Sequence, residues 1–218
     1  DVAPSRGLGD VYKRQVGNDA NMAALGEMWL GAGRGHKNLV MVTLGTGVGG
    51  GVIVGGRPLV GTNGAGGEIG HILANRQETD KCGCGKKGCL EQYASATGIA
   101  RLARIRLAKN NDMTLLRGQE ITAKAVFDAL KEGDKVAEEI VEEFGAYLGY
   151  ALADVAAVID PSMFIIGGGV SKAGPIIIQY VKKYFLEKAF FANEGTEFII
   201  AVLGNDAGIC GAAKLILG

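Results

Sequence analysis

One histidine and three cysteines lie close enough in sequence to share a single metal ion: His71, Cys82, Cys84 and Cys89. Three thiols and an imidazole are the donor set of a closed tetrahedral zinc site, structural rather than hydrolytic because no position is left for water. Only Gly83 separates Cys82 from Cys84, and Gly85 and Gly88 sit in the return to Cys89, giving the backbone freedom to wrap an ion. A carboxylate stands near each end of the set: Glu68 precedes His71 by three residues and Glu91 follows Cys89 by two. A metal knot here would fix both acids in space. If one imidazole nitrogen binds metal, the other is left for a carboxylate, a carbonyl or a ligand hydroxyl. Acceptors converging in this way suit a polyhydroxylated ligand such as a sugar, whereas either glutamate alone could be a solvated surface acid.

Two glycine-rich stretches offer bare backbone. Leu44-Gly-Thr-Gly-Val-Gly-Gly-Gly51 joins two apolar runs, so its amides could cradle a phosphate, with the Thr46 hydroxyl alongside. No Gly-Lys-Ser/Thr follows, and a strand rather than a helix comes next, so neither the Walker nor the Rossmann pattern applies. Gly167-Gly168-Gly169 ends a short apolar run before a helix, a second place for a nucleotide to approach, or an ordinary turn. Asn18-Asp19-Ala-Asn21 opens a helical pattern. Asp19 there could be a general base and Asn18 a ligand hydrogen-bonder, or the pair could simply cap the helix; both readings stand.

The elements that must position these groups follow from periodicity. The spacing predicts a helix from Asp19, ended by glycines at 31, 33 and 35, then strands at Leu39–Leu44, Val48–Val54 and Arg57–Val60, with Gly55-Gly56 as a two-residue hairpin. Helices follow at Ser95–Leu107, Thr122–Lys131 and Lys135–Val158, the last broken by Pro161. A strand at Met163–Ile166, a helix from Pro175 to Glu187, a strand at Phe198–Leu203 and a helix at Ala207–Leu217 complete a mixed α/β sheet flanked by helices.

Composition narrows the function classes. The 218 residues carry 23 basic and 23 acidic side chains, so no nucleic-acid partner is implied. Glycine is in excess, 36 residues against an average near 7%, and clusters between apolar runs rather than in a linker. No apolar run approaches the ~20 residues of a membrane span, and no membrane partner is expected. Three of four cysteines fall within eight residues, which fits a metal site in a reducing cytoplasm better than disulfides. Cys210 is expected to be a small buried helix residue.

Taken together, Asn-Asp-Ala-Asn (18–21), the glycine run 44–51, Gly-Glu-Ile-Gly-His (67–71), the cysteine motif closing on Leu-Glu (82–91) and Ile-Gly-Gly-Gly-Val-Ser (166–171) resemble the ROK family of sugar kinases and repressors, bacterial glucokinases most closely. The resemblance runs from Asn18 to the C-terminus. It implies the actin-like ATPase (ribonuclease H-like) fold and transfer of the ATP γ-phosphoryl group, with Mg²⁺, to the 6-hydroxyl of a hexose, glucose first, as in glycolysis. N-acetylmannosamine or another hexose, or a sugar-responsive repressor, are its alternatives. Carried over by position, Asp19 resembles the general base. Asn18, Glu68, His71 and Glu91 resemble sugar ligands, Thr46 and Gly47 phosphate contacts, and Gly168 and Gly169 neighbours of the adenosine. His71, Cys82, Cys84 and Cys89 would hold zinc. A cytoplasmic homodimer is the matching expectation. The family's Asp-x-Gly-Gly-Thr motif is not found before Asn18, and residues 1–15 do not resemble the family. The domain expectation is therefore a non-family or disordered segment at 1–15, remnants of a truncated small domain at 16–35 and 206–218, and a large sugar and zinc domain at 36–205.

Overall fold

The computed structural model describes residues 19–217; the expectations for residues 1–15 and for Asn18 lie outside them. Its centre is a five-stranded sheet in the order β3-β2-β1-β4-β5. Here β1 is Leu39–Leu44, β2 Val48–Val54, β3 Arg57–Pro58, β4 Met163–Gly167 and β5 Glu197–Ile200. The first three strands form an antiparallel meander, with the predicted hairpin at Gly55 and Gly56, both at positive φ. β4 and β5 add parallel to β1, because helices intervene in sequence.

Alternation along each strand separates two apolar faces. Val40, Val42, Leu44, Val52, Phe164 and Ile166 point into the larger core. That face is covered by α3 (Ala96–Lys109), α4 (Ala123–Lys131), α5 (Lys135–Ile159) and α6 (Ile176–Lys188). Phe127, Phe144, Phe164 and Phe185 are fully buried there, each worth about 1.5–3 kcal/mol relative to exposure. Leu39, Met41, Ile53, Met163 and Ile165 point the other way, against Ala24 and Leu25 of α1 (Asp19–Leu30). Helix α1 thus completes an apolar core with this face of the sheet, and α7 (Ala207–Leu217) packs on α1.

Helix starts follow their caps. Ser95 accepts from the Gly98 amide, Thr122 from Ala125 and Asp134 from Ala137. Helix α5 ends at Asp160 in the left-handed conformation, with Pro161 next. Strand β5 stops short of its predicted end at Leu203, because the amides of Val202 and Leu203 bond the carboxylate of Glu27 instead of a strand. β3 is shorter than predicted, Arg57–Pro58, although the Leu59 amide still bonds the Val52 carbonyl at 2.8 Å. Cys210 lies on α7 as expected but is half-buried. No helix among the described residues is long and apolar enough to cross a membrane.

Candidate functional site

The metal donors converge. One ligand atom each from His71, Cys82, Cys84 and Cys89 lies within 4.8 Å of all the others. The Cys84 and Cys89 sulfurs are 3.6 Å apart, and the Cys82 sulfur is 4.0 Å from Nδ1 of His71. A tetrahedron with metal–sulfur bonds of about 2.3 Å has edges of roughly 3.8 Å, so this set fits zinc. His71 closes the 3-10 turn Ile69–His71, and the cysteines sit on a tight loop in which the Cys82 amide bonds the Lys86 carbonyl at 2.7 Å. Bridges Leu73↔Cys89 and Lys81↔Lys87 join the two arms. Burial, and then the neighbouring sulfurs, push the Cys89 thiol up to about 12, whereas the Lys86 amide lowers that of Cys84. Three crowded thiols do not all ionise unaided; a bound divalent cation would supply the missing charge and displace their protons.

The carboxylates are tied to the start of β2. Glu91 opens the short helix α2 (Glu91–Ala94); its Oε2 accepts from the Val48 amide at 3.1 Å, and its Oε1 lies 3.6 Å from the Cys82 sulfur. One side chain thus spans the metal knot and the glycine run. Glu68 is exposed on the turn leading into Ile69–His71. Asp19 is exposed at the first position of α1, with Oδ1 accepting from the Ala20 amide at 2.8 Å. Buried Asn21 accepts from the Val52 amide at 3.3 Å and pins α1 to the strand.

Close approach explains why β2 is so rich in glycine. A methyl on Gly50 would stand 2.2 Å from the Gly67 carbonyl, and one on Gly51 2.2 Å from that of Ala20. Gly49 and Gly51 admit α1 on one face and Gly50 admits the Glu68–His71 turn on the other, as the two-residue period dictates. The start of α1 thus lies on one face of β2 and the Glu68–His71 turn on the other, with Glu91 bonded to the Val48 amide. At the tip of the run, Ala96 and Thr97 of α3 hold the carbonyls of Gly45 and Thr46 at 2.8 and 2.7 Å. Thr46 is exposed there.

Gly168 and Gly169 are exposed after β4. Gly169 and Val170 line a cavity of about 310 Å³ with Phe127, Lys124, Asp128, Lys131 and Lys172, an apolar slot with three lysines and an aspartate paired to Lys124 at its rim. A larger open groove of about 710 Å³, lined by Leu73, Tyr147 and Tyr150, contains none of the residues singled out from sequence.

Several contributors escaped sequence reasoning. Gln92 bonds the Gly88 and Cys89 amides and the Asp80 carbonyl. Glu78 accepts from the Tyr93 hydroxyl and, at 2.8 Å, from Arg101. Burial pushes the Glu78 carboxyl up, but the bonds from Tyr93, the Asp80 amide and Arg101 outweigh it and hold the acid down at about 2. Glu27, fully buried, accepts from three backbone amides, those of Ala32, Val202 and Leu203. The apolar surroundings of Glu27 in sequence were the only hint.

The profile of the ROK family matches residues 12–218. The glucokinase of Halalkalibacterium halodurans is 47% identical over 206 residues, 92% of this chain and 62% of that protein. That of Thermotoga maritima is 40% identical over 204 residues, 91% of this chain and 64% of that one. A ROK glucokinase from Streptomyces griseus, solved with glucose and AMPPNP, superposes with a TM-score of 0.82 at 40% identity, covering 92% of this chain and 67% of that chain. The chain thus spans somewhat less than two thirds of the length of these two curated relatives.

Proposed function

This chain belongs to the ROK family, and from that premise we propose that it carries the sugar side of an ATP-dependent hexose kinase acting on the 6-hydroxyl of glucose. The observation that carries the reading is Glu91, which touches both the metal knot and the phosphate-loop candidate through Cys82 and Val48. Such a link supports a reading in which hexose hydroxyls and the transferring phosphoryl group meet beside this one side chain.

The chemistry asks mainly for position. Phosphoryl transfer proceeds through a loose transition state, so holding donor and acceptor in line supplies most of the rate. The Glu68 and Glu91 carboxylates accept hydrogen bonds from the ring hydroxyls and the Nε2–H of His71 donates one, with Asn18 adding an amide. The Asp19 carboxylate takes the proton of the attacking hydroxyl as the bond to phosphorus forms. The amides of Thr46 and Gly47 receive phosphate oxygens, and the slot beside Gly168 and Gly169 receives the adenosine. ATP enters as its Mg²⁺ complex, the ion neutralising charge on the phosphates. Zinc, held by His71, Cys82, Cys84 and Cys89, supplies a rigid closed knot and no reaction chemistry. Its thiolate ligands go with a reducing, cytoplasmic setting.

The test compares phosphorylation of glucose, N-acetylmannosamine and other hexoses in a coupled assay, with calorimetric binding alongside. Glucose should give the highest kcat/KM. Sugar-dependent DNA binding without phosphorylation would overturn the assignment in favour of a repressor.

A further inference from the structure

Two side chains outside the donor set hold the metal knot together. Gln92, on α2 directly after Glu91, accepts from the Gly88 and Cys89 amides at 2.8 and 3.1 Å through Oε1. Its Nε2 donates to the Asp80 carbonyl at 3.0 Å. The residue thus joins the arm that enters the knot, two residues before Cys82, to the arm that leaves at Cys89. Glu78 braces the entering arm from the other side. Its side chain is only 7% exposed, accepts from Arg101 at 2.8 Å and from Tyr93, and bonds the Thr79 and Asp80 amides at 2.8 and 2.9 Å. Arg101 in turn reaches Asp80 at 3.0 Å and lies over the Tyr93 ring.

We propose that Gln92 is a positioning residue of the metal site, with the Glu78–Tyr93–Arg101 cluster as its second brace. Together they set the separation of the two cysteine arms, and through it the orientation of His71 and Glu91. The inference rests on the reading of the knot as a zinc site. Only an amide supplies an acceptor for two N–H groups and a donor for a carbonyl at this length. Glutamate keeps the first function and loses the second; alanine loses both. Partners that orient ligands in this way are worth 10–100-fold in metal affinity when removed.

Zinc affinity, read by competition with a chromophoric chelator, tests this on the purified chain as wild type, Gln92→Ala, Gln92→Glu and Glu78→Gln. We expect Gln92→Ala to bind zinc roughly 10–100-fold more weakly, Gln92→Glu to fall between it and wild type, and Glu78→Gln to weaken binding. Glucose affinity of Gln92→Ala should recover at saturating zinc, which a general loss of structure would not allow. If Gln92→Ala fails to fold, the near-isosteric Gln92→Glu and Glu78→Gln carry the test. Wild-type affinity in the Gln92 variants, or glucose binding that stays lost in excess zinc, overturns the inference alone. A wild-type chain that takes up no zinc overturns the reading beneath it as well.

Discussion

Alanine at Gly50 and at Gly51 should damage two different functions at a similar cost in stability. The adjacent residues of β2 face opposite sides of the sheet. A methyl on Gly50 lands 2.2 Å from the Gly67 carbonyl oxygen and 2.7 Å from Ile69; one on Gly51 lands 2.2 Å from the Ala20 oxygen and 2.7 Å from Ala24. Ordinary contact begins near 3.4 Å, so in each case a backbone carbonyl must retreat by about 1.2 Å. Overpacking of this kind costs about 1–3 kcal/mol, and each kcal/mol lowers Tm by roughly 2–4 °C in a chain of this size. What moves differs. Gly50→Ala displaces the turn that carries Glu68 and His71, whereas Gly51→Ala displaces the start of α1 and with it Asp19. A shift of about 1 Å at a reacting centre costs on the order of 10²-fold. Gly50→Ala should therefore lose zinc and glucose affinity. Gly51→Ala should keep zinc, lose turnover, and lose only the part of the glucose affinity that Asn18 contributes. Calorimetric glucose binding, zinc content and a coupled kinase assay, read together, decide the matter. Equal loss of binding in both variants, or intact zinc and glucose affinity in Gly50→Ala, would refute the reasoning.

Three further outcomes are expected. Asp19→Asn should lower turnover by about 10²–10⁴-fold with glucose affinity nearly intact, measured by coupled assay and calorimetry; lost binding with preserved turnover contradicts the base assignment. A methyl on Gly169 meets nothing within 4 Å, so Gly169→Leu should fold normally, fill the adjoining slot and raise the KM for ATP but not for glucose. The Glu78 carboxyl falls from 4.5 to about 2 on folding, so its contribution to stability is present above about pH 4.5 and fades as pH drops toward 2. Glu78→Gln should therefore be less stable than wild type at neutral pH, and that gap should narrow below about pH 4.5 in thermal melts.

Local signals were the legible ones. The cysteine cluster, the hairpin at Gly55-Gly56 and the helix starts at Ser95, Thr122 and Asp134 each depend on residues a few positions apart. The strands of the meander follow from their apolar runs. What could not be read was the purpose of Gly49, Gly50 and Gly51: sequence offers backbone for a ligand, whereas the structure uses these glycines to admit α1 and the Glu68–His71 turn. Nor does periodicity reveal a carboxylate bonded to remote amides, as at Glu27 with Val202 and Leu203, or a pair such as Glu78 and Arg101, brought together only by folding. For the same reason the packing of α1 against β1 and β2 is not legible in the sequence, since packing is not local.

In the proposed reading one metal knot builds the sugar pocket, and Cys84→Ser separates metal from sugar. Zinc content and calorimetric glucose affinity should be measured on the same preparations of wild type and variant. Zinc near one per chain in wild type, with metal and glucose affinity lost together in the variant, is the predicted result. Zinc lost while glucose affinity stays at the wild-type value would contradict the account.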